Sequence, residues 1–361
     1  MTRQTLVICA VAAMLAACTS NASQQSSALA PVAPTVPSAA KHGVVPVPAV
    51  GPARIRPDHH KSWISPDAKR APRLLFVPDY GAGDVFIFSL PSMALKGTLT
   101  GFTDPEGACA DANGNIWVAN TGAEEMQLFS RTGTLLKTLP VYDEFPASCA
   151  FNKSNGDLAV SDIESTTGGA GNIEIFANAS GTGTPYTNAS VFQYFFVGYD
   201  PSGNLFFDGT DASRISSYLA ELPAGSSNTR LINLSGATIG LPGFVQWYNA
   251  GNYLAMGDQA CAGTLSTCIY WVSIAGSSGT VTGTTNLTNY QGGSVCEVAE
   301  GVIAANKEKY VVGADYETPC GYASMAAYRW PYETGGTPTN YNNTAPFVEP
   351  IGAAVSTTER K

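Results

Sequence analysis

Histidine is almost absent from this chain of 361 residues. The sequence holds three histidines, His42, His59 and His60, and none between residues 73 and 361. Histidine is the commonest general base near neutral pH, so this long stretch excludes Ser-His-Asp hydrolysis and any mechanism built on a histidine base. It also lacks a Gly-x-Ser-x-Gly elbow and a P-loop. A metal ion could activate water there without a histidine.

Charged residues are also scarce, at 13%, and glycine and proline are abundant, at 37 and 23 residues. No segment reaches the ~20 apolar residues that a membrane-spanning helix needs. This composition is typical of many short strands joined by tight turns. With 44% hydrophobic residues, the length allows one large β domain or two ordinary ones.

The charge is unevenly distributed along the chain. Residues 1–72 hold seven of the 19 basic and two of the 28 acidic residues, which leaves residues 73–361 with a net charge of −14. An acidic domain lacks the basic footprint that phosphate binding requires, so nucleic acid is excluded as a partner. Cations and basic ligands are compatible with this charge, and so is a simple role in solubility.

The first 18 residues have the pattern of an export signal. Arg3 precedes an apolar run from Leu6 to Ala17, and the small residues before Cys18 resemble a bacterial lipobox. We predict a lipoprotein signal peptide over 1–18, with Cys18 lipidated; ordinary signal cleavage is the alternative. Thr19 does not resemble the inner-membrane retention signal, which favours the outer membrane. The acyl chains would make the anchoring effectively permanent.

Residues 19–72 are rich in Ala, Pro, Ser and Val and lack strand alternation. Such a segment cannot bury enough apolar surface to offset its ordering entropy, and its prolines favour extended conformations. We predict a disordered stalk over 19–72 that holds the folded part away from the membrane.

A pattern of two β-rich runs around a tight turn recurs from residue 73 onward. The clearest copies are 105–120 and 146–162, with turns at Asn113-Gly114 and Asn155-Gly156. Weaker copies lie at 200–208, 249–258 and 307–315. Two further strands follow, so that four strands repeat every ~40–50 residues, as in propeller blades. The predicted fold is all-β, a six-bladed propeller of four-stranded blades over 73–356; a seventh blade would need an unseen repeat within 263–310.

The first blade lacks its own first strand, because residues 74–79 match only the second run of the repeat. Residues 349–356 match 104–111 in spacing. We therefore predict that the C-terminal strand pairs into the first blade, closing the ring and removing two exposed edges. Residues 357–361 would then form a short tail.

Six cysteines remain after Cys9 and Cys18 are set aside, and an even number in an exported protein suggests disulfides. Cys109 and Cys149 lie at near-equivalent places in adjacent blades, and Cys261 and Cys268 flank a short loop. The remaining pair would be Cys296 and Cys320. Six cysteines allow 15 connectivities, so these pairings are hypotheses.

Acidic residues recur where the second strands end. In an antiparallel blade these ends share one face with the start of the first strand, and the ring of oxygens could hold a hard cation such as Ca²⁺. The alternative is that these residues cap turns through local hydrogen bonds. The candidate metal ligands are Asp79, Glu106, Asn120, Asp162, Asp258 and Asp315.

Long connections project on the same face at 163–172, 259–268 and 316–326, and long loops on a rigid scaffold usually carry specificity. Tyr316 and Tyr322 are the candidate ligand-binding residues there. The tryptophans of the strand runs are expected in the core between blades. They are Trp117, Trp247, Trp271 and Trp330.

The run from Pro105-Glu106-Gly107 to Asn120 resembles the NHL-repeat and gluconolactonase-like six-bladed propellers. In gluconolactonase-like enzymes a Glu-Gly-Pro at the start of a first strand supplies a metal-binding glutamate, joined by Asn and Asp from other blades. Glu106 and Gly107 match this motif, but Ala108 replaces the proline. The streptogramin-lyase-like members use a histidine base, which this propeller lacks.

Two functions follow from these observations. The first is a non-catalytic propeller, monomeric and lipid-anchored at the outer membrane, that binds an unknown protein or small-molecule ligand without any catalytic residue. The second is a Ca²⁺-dependent hydrolase or lactonase that uses Glu106 and the aspartates at the same mouth. Ca²⁺ is the one candidate cofactor.

Overall fold

The computed structural model of the chain describes residues 61–264, 266–305, 309–316 and 325–358. The predicted signal peptide, Cys18 and the stalk up to residue 60 lie outside these residues, as do Cys320 and Tyr322. The described part is all-β, with short 3₁₀ segments and no α-helix. None of its helical segments is long and apolar enough to cross a membrane. The 3₁₀ segments are Pro66–Arg70, Thr121–Ala123, Ala177–Ala179 and Cys261–Gly263.

Four sheets have four or five strands each. The first contains β1 (Trp63–Ile64), β2 (Arg73–Asp79), β3 (Asp84–Leu90), β4 (Ala94–Thr100) and β25 (Ala354–Thr357), in the order β1-β4-β3-β2-β25. The second contains β5 (Pro105–Ala110), β6 (Ile116–Asn120), β7 (Glu125–Phe129) and β8 (Leu135–Pro140). The third contains β9 (Glu144–Phe151), β10 (Leu158–Ser165), β11 (Ala170–Phe176) and β12 (Thr184–Tyr186). The last contains β21 (Gly301–Ala305), β22 (Lys309–Asp315), β23 (Ala326–Pro331) and β24 (Asn340–Asn342).

One sheet has eight strands. Its first half is β13 (Gln193–Tyr199), β14 (Leu205–Thr210), β15 (Ser217–Leu222) and β16 (Arg230–Ser235). Its second half is β17 (Pro242–Tyr248), β18 (Tyr253–Asp258), β19 (Cys268–Ala275) and β20 (Ser278–Asn286). Each half is an antiparallel meander, and the two halves are joined by a short parallel pairing of their outer strands β16 and β20. These sheets form a propeller-like arrangement of four-stranded units.

The inner strands are buried on both faces. All five residues of β6, and the residues from Leu74 to Asp79 in β2, are buried. A strand covered on both sides has a continuous apolar run rather than an alternating one, and this is why Ile116-Trp117-Val118-Ala119 is a strand. The turn before β6 contains Gly114 at φ +78°, a conformation that glycine adopts at little cost.

The predicted pairing of the C-terminal strand is confirmed. Strand β25 pairs antiparallel with β2, placing Leu75 opposite Val355 and Phe76 opposite Ala354. Pro350 bridges to Asp79, just as Pro105 pairs with Asn120 in the second sheet. The register inferred from the match between 349–356 and 104–111 is therefore the one that the structure has.

The innermost strands contact one another in chain order: β5 with β9, β9 with β13, β13 with β17, β17 with β21, and β21 with β25, which in turn contacts β5. These strands line a central channel. They approach closely at Gly107, where a Cβ atom would lie 2.4 Å from the carbonyl oxygen of Ala147. Only glycine fits that spacing without a shift of the backbone.

The predicted stalk does not extend to residue 72. Trp63 and Ile64 pair with Thr98 and Gly97 as an added outer strand, and Ser65 caps the 3₁₀ segment that follows. Ile64 packs against the apolar cluster of the first two sheets, which stabilises a segment whose composition alone suggested disorder. At the other end, Thr357 belongs to β25 rather than to the predicted tail.

Two predicted disulfides are present. Cys109 of β5 is bonded to Cys149 of β9, and Cys261 is bonded to Cys268 across a short loop. The first bond links the innermost strands of adjacent sheets, so it holds the wall of the channel together. Cys296 is also disulfide-bonded, but its predicted partner lies outside the described residues.

The predicted core tryptophans divide into two pairs. Trp117 and Trp330 are fully buried, as predicted. Trp271 is only partly buried and stacks on Tyr253, and Trp247 lines the central cavity. Trp247 is therefore a candidate for contact with a ligand rather than a purely structural residue.

Candidate functional site

A cavity of about 720 Å³ occupies the central channel. Its wall is formed by the later residues of the innermost strands, such as Ala110, Ala150, Gly198, Val245 and Val355. Residues of the turns that follow these strands form its rim. The wall exposes polar and apolar surface in about equal measure, and a cavity of this size is typical of small-molecule sites.

This cavity lies at the end of the channel opposite to the predicted acidic mouth. Antiparallel pairing sets the end of each first strand beside the start of the second, as with Ala110 and Ile116. The predicted metal ligands stand at or beside the other end of these strands, and none of the six lines the cavity. The described residues thus place the main cavity and the predicted acids on different sides.

Glu300 lies at the inner end of the cavity and was not predicted from the sequence. Its Oε2 accepts hydrogen bonds from the N–H groups of Ala108 and Ala353, each at 2.8 Å. Its Oε1 accepts one from the Ser148 hydroxyl at 2.8 Å. The side chain precedes β21 and reaches β5, β9 and the approach to β25, so one carboxylate connects four parts of the channel wall.

The contact with Ala108 explains a departure from the family pattern. The resemblance to gluconolactonase-like enzymes sets a proline at this position, and proline has no N–H to donate. Ala108 supplies that donor, and Glu300 uses it. The substitution and the buried glutamate therefore form one local arrangement in the channel.

Two carboxyl groups in the channel have raised pKa values. Burial raises the pKa of Glu300 to about 7, although its three hydrogen bonds oppose the shift. Glu106 is fully buried, and neither of its oxygens accepts a hydrogen bond from a described residue. Burial raises its pKa well above the ordinary value, and the charges of Asp104 and Glu300 add to the effect.

The rim of the cavity carries both signs of charge, but its carboxylates are already engaged. Asp111 accepts hydrogen bonds from the backbone and side chain of Asn115, and Asp200 does the same with Asn204. These local turns leave Lys153 as an exposed cation at the rim. The entrance therefore carries charges of both signs, and the Glu300 carboxyl group lies at the inner end.

Most of the predicted mouth acids hold the backbone of their own sheet together. Asp79 accepts hydrogen bonds from the N–H groups of Val348 and Glu349, at 2.9 and 2.8 Å. Asn120 accepts one from the N–H of Thr103 at 2.7 Å. In both cases the donors belong to the segment that leads into the innermost strand.

The same arrangement recurs in the second half of the chain. Asp258 accepts from Gly240 and Leu241, each at 3.0 Å, and also from the Tyr270 hydroxyl. Asp315 accepts from the two N–H groups that lead towards β21. The recurrence of these acids in the sequence thus has a structural cause, but the hydrogen bonds join segments distant in the chain rather than capping local turns, as the alternative above supposed.

Asp162 does not follow this pattern. It is fully buried, and neither of its carboxylate oxygens accepts a hydrogen bond from the described part of the chain. Burial raises its pKa well above the ordinary value, and the charges of Glu174 and Glu144 raise it further. Within the described ranges no three His, Cys, Asp or Glu side chains stand together as a formed metal centre, and metal binding at these positions remains a prediction.

The predicted ligand loops differ from expectation. Strand β10 runs to Ser165 and β11 begins at Ala170, so most of the predicted loop 163–172 is a hairpin of extended strands. Tyr316 is 4% exposed, because it packs in the main apolar cluster, and it does not offer the predicted aromatic surface. Most of the 316–326 connection lies outside the described residues.

Glu300 could have been found from the repeat register. Asp315 accepts from Cys296 and Glu297 as Asp79 accepts from the two residues before Pro350. That equivalence gives Glu300 the same place in its sheet as Ser148 has in the third sheet, inside the channel. The weak repeat over 263–310 concealed this register, because its first strand lacks the proline that marks the others.

Comparisons with known proteins support the fold. A family model described as the SMP-30/gluconolactonase/LRE-like region matches residues 88–163. A chain in the crystal structure of a nidogen/laminin complex is 13% identical, with a TM-score of 0.58 and coverage of 79% of this chain and 99% of that one. A protein of unknown function from Bacteroides caccae is 13% identical, with a TM-score of 0.59 and coverage of 80% and 100%. No functionally curated protein matches.

At this identity the solved structures show the fold alone. Together with the family model they support a gluconolactonase-like or NHL-like β-propeller.

Proposed function

We propose that this chain is a six-bladed, non-catalytic propeller that binds a small molecule in its central cavity. The count of six treats the eight-stranded sheet as two blades that meet through their outer strands. The central cavity is the observation that supports this proposal, because it is lined by the innermost strands and has a carboxyl group at its inner end. Its volume suits a ligand of drug-like size.

The lining offers a ligand both polar and apolar surface. Small side chains such as Ala110 and Ala150 leave room between the strands, and Trp247 provides an aromatic surface. Lys153 at the rim would attract an anionic group of the ligand. The absence of histidine from residues 73–361 removes the commonest general base and favours binding over proton-transfer chemistry.

A fluorescent anionic probe tests the cavity. We expect 1-anilinonaphthalene-8-sulfonate to bind the folded chain saturably, with one site per chain. Ala110→Trp would fill the cavity and weaken binding at least tenfold, whereas Leu136→Trp on the outer strand β8 would leave it unchanged. Equal binding by both variants and the wild type would place the probe elsewhere and count against the cavity as the ligand site.

Export and anchoring are a separate part of the proposal. The lipobox-like residues before Cys18 support a lipid-anchored monomer at the outer membrane, with its ligand or protein partner on the periplasmic or surface side. Fractionation of cells that express Cys18→Ala tests this part. The variant is expected in the soluble fraction, and its recovery in membranes at the wild-type level would contradict lipidation.

Glu106 gives a specific reason to keep the second candidate function, a Ca²⁺-dependent hydrolase or lactonase. Its fully buried carboxyl group accepts no hydrogen bond from the described residues, and it stands where the related enzymes have a metal ligand. If the ion binds there, lactone hydrolysis should require Ca²⁺ and disappear in Glu106→Gln. Activity that survives either EDTA or this substitution would exclude the site.

A further inference from the structure

Four oxygen-bearing side chains meet in the third sheet, away from the central cavity. Asp162 of β10 lies directly opposite Asn172 of β11, so the two side chains share one face of the sheet. Glu174 follows two residues after Asn172 and therefore lies on that face as well. Glu144 begins β9 on the other side of β10. None of these residues lines the cavity.

Four oxygens of this cluster lack donors among the described residues. Both carboxylate oxygens of Asp162, Oε2 of Glu144 and Oδ1 of Asn172 are buried and accept no hydrogen bond from any described residue. Asp162 is completely inaccessible to solvent. Four buried acceptors without donors in one place are rare in folded proteins and indicate a bound group that supplies positive charge.

The charges around the cluster are all of one sign. The groups that raise the pKa of Asp162 after burial are Glu174 and Glu144. Burial raises the pKa of Glu144 to about 7, with Glu174 and Asp143 adding to the shift and a hydrogen bond from Asn172 opposing it. Glu174 also has a raised pKa, caused by burial. The cluster therefore lacks internal compensation for its negative charge.

We propose that this cluster, formed by Glu144, Asp162, Asn172 and Glu174, binds a hard divalent cation of the Ca²⁺ type. Carboxylate and amide oxygens are the ligands that Ca²⁺ prefers, and it accepts irregular geometry. Asp162 and Asn172 are held by the sheet, whereas the two glutamates are only partly buried. Their side chains must rotate inward, since no three acidic groups yet stand at coordinating positions among the described residues.

The site shares Asp162 with the predicted ring of mouth acids, but its other three residues lie outside that ring, and it does not include Glu106. Of the predicted ligands, Asp79, Asn120, Asp258 and Asp315 are engaged with backbone N–H groups. The charges that act on Glu106 are those of Asp104 and Glu300, not those of the third sheet. The proposal is therefore independent of the function proposed for the cavity.

Calorimetric titration of the EDTA-treated full chain with CaCl₂ tests the site. We expect one Ca²⁺ per chain in the wild type and a melting temperature that rises by several degrees with saturating Ca²⁺. Asp162→Asn should weaken binding at least tenfold and remove the thermal shift. Asp208→Asn, which changes an equally buried acid in β14, is the matched control and should bind as the wild type does.

A second variant separates a loss of Ca²⁺ binding from a loss of folding. Glu174→Gln changes a partly exposed side chain and should also weaken Ca²⁺ binding while leaving the circular dichroism spectrum unchanged. No uptake of Ca²⁺ by the wild type would overturn the proposal. Binding that survives Asp162→Asn and Glu174→Gln but is lost in Glu106→Gln would also overturn it, because the ion would then belong to the channel.

Discussion

Asp79 in the first sheet and Asp162 in the third occupy the same position but have opposite surroundings. Each lies at the end of a second strand opposite a proline, Pro350 for Asp79 and Pro146 for Asp162. Asp79 accepts hydrogen bonds from the segment before Pro350. In the third sheet the corresponding segment pairs with Ser165 after a shift in register, and Asp162 is left without donors.

The comparison shows that a repeated residue type need not have a repeated role. In the first sheet the chain enters the innermost strand as a loop, and its free N–H groups need an acceptor. In the third sheet the strands continue past the aspartate, and the backbone groups there pair with each other. The carboxylate then has no structural partner, and this is the condition under which a buried acid most often acquires a ligand.

The largest expected effect on stability comes from removing the C-terminal segment that donates to Asp79, which would leave Asp79 short of donors, as Asp162 is. Removal of residues 349–361 deletes β25 and a donor to Asp79, and it exposes the inner edge of β2. We expect the cooperative thermal transition to disappear and the protein to aggregate. Removal of residues 359–361 alone, which leaves β25 intact, is the control. A truncated chain that melts as the wild type does would show that closure by β25 does not hold the first sheet.

A smaller effect is expected from Asp258→Ala. This change leaves three backbone N–H groups and the Tyr270 hydroxyl without their acceptor, and the expected loss of stability is about 3–5 kcal/mol. Urea denaturation measures it. Asp211→Ala is the control, because Asp211 caps a turn in the same way but is only partly buried, and its effect should be much smaller. Similar losses for the two variants would mean that burial does not matter.

The sequence predicted much of the fold because the fold depends on local repeats. Turns such as Asn113-Gly114 and the spacing before Pro350 determine strand pairing, and both are visible in the chain. The predicted stalk boundary was wrong because Trp63 and Ile64 become ordered by pairing with β4, which is a contact between distant segments. Composition carries no information about such a partner.

The candidate site was less predictable for the same reason. The repeat correctly grouped the acids by position, but their role depends on whether a donor stands nearby. The repeat register places Glu300 in the channel, but its donors come from Ala108, Ser148 and Ala353, which are far apart in the chain. No local pattern could bring these residues together.

Glu300 provides a prediction about pH. Its pKa of about 7 in the folded chain lies above the ordinary value of 4.5, so the folded state holds this proton more tightly than the unfolded state does. The contribution of the protonated Glu300 to the free energy of unfolding is complete below pH 4.5. It falls by about 3 kcal/mol as the pH rises towards 7. Urea denaturation across this range should show a flatter profile for Glu300→Gln than for the wild type. Glu124→Gln should keep the wild-type slope, and an unchanged slope in Glu300→Gln would assign the titration to another group.

The smallest expected effect is that of Asp162→Asn on the cation-free protein. The aspartate has no donor to lose, so replacing it with a neutral amide of similar shape breaks no hydrogen bond with a described residue. It also removes the repulsion between Asp162 and the charges of Glu144 and Glu174. In EDTA at pH 8 we expect a gain of about 1 kcal/mol in urea denaturation, whereas Asp79→Asn should lose stability, because an amide nitrogen cannot accept the N–H of Val348. If both variants lose stability equally, Asp162 has a structural partner after all. The two aspartates would then both stabilise their own sheets and would differ only in how they are positioned.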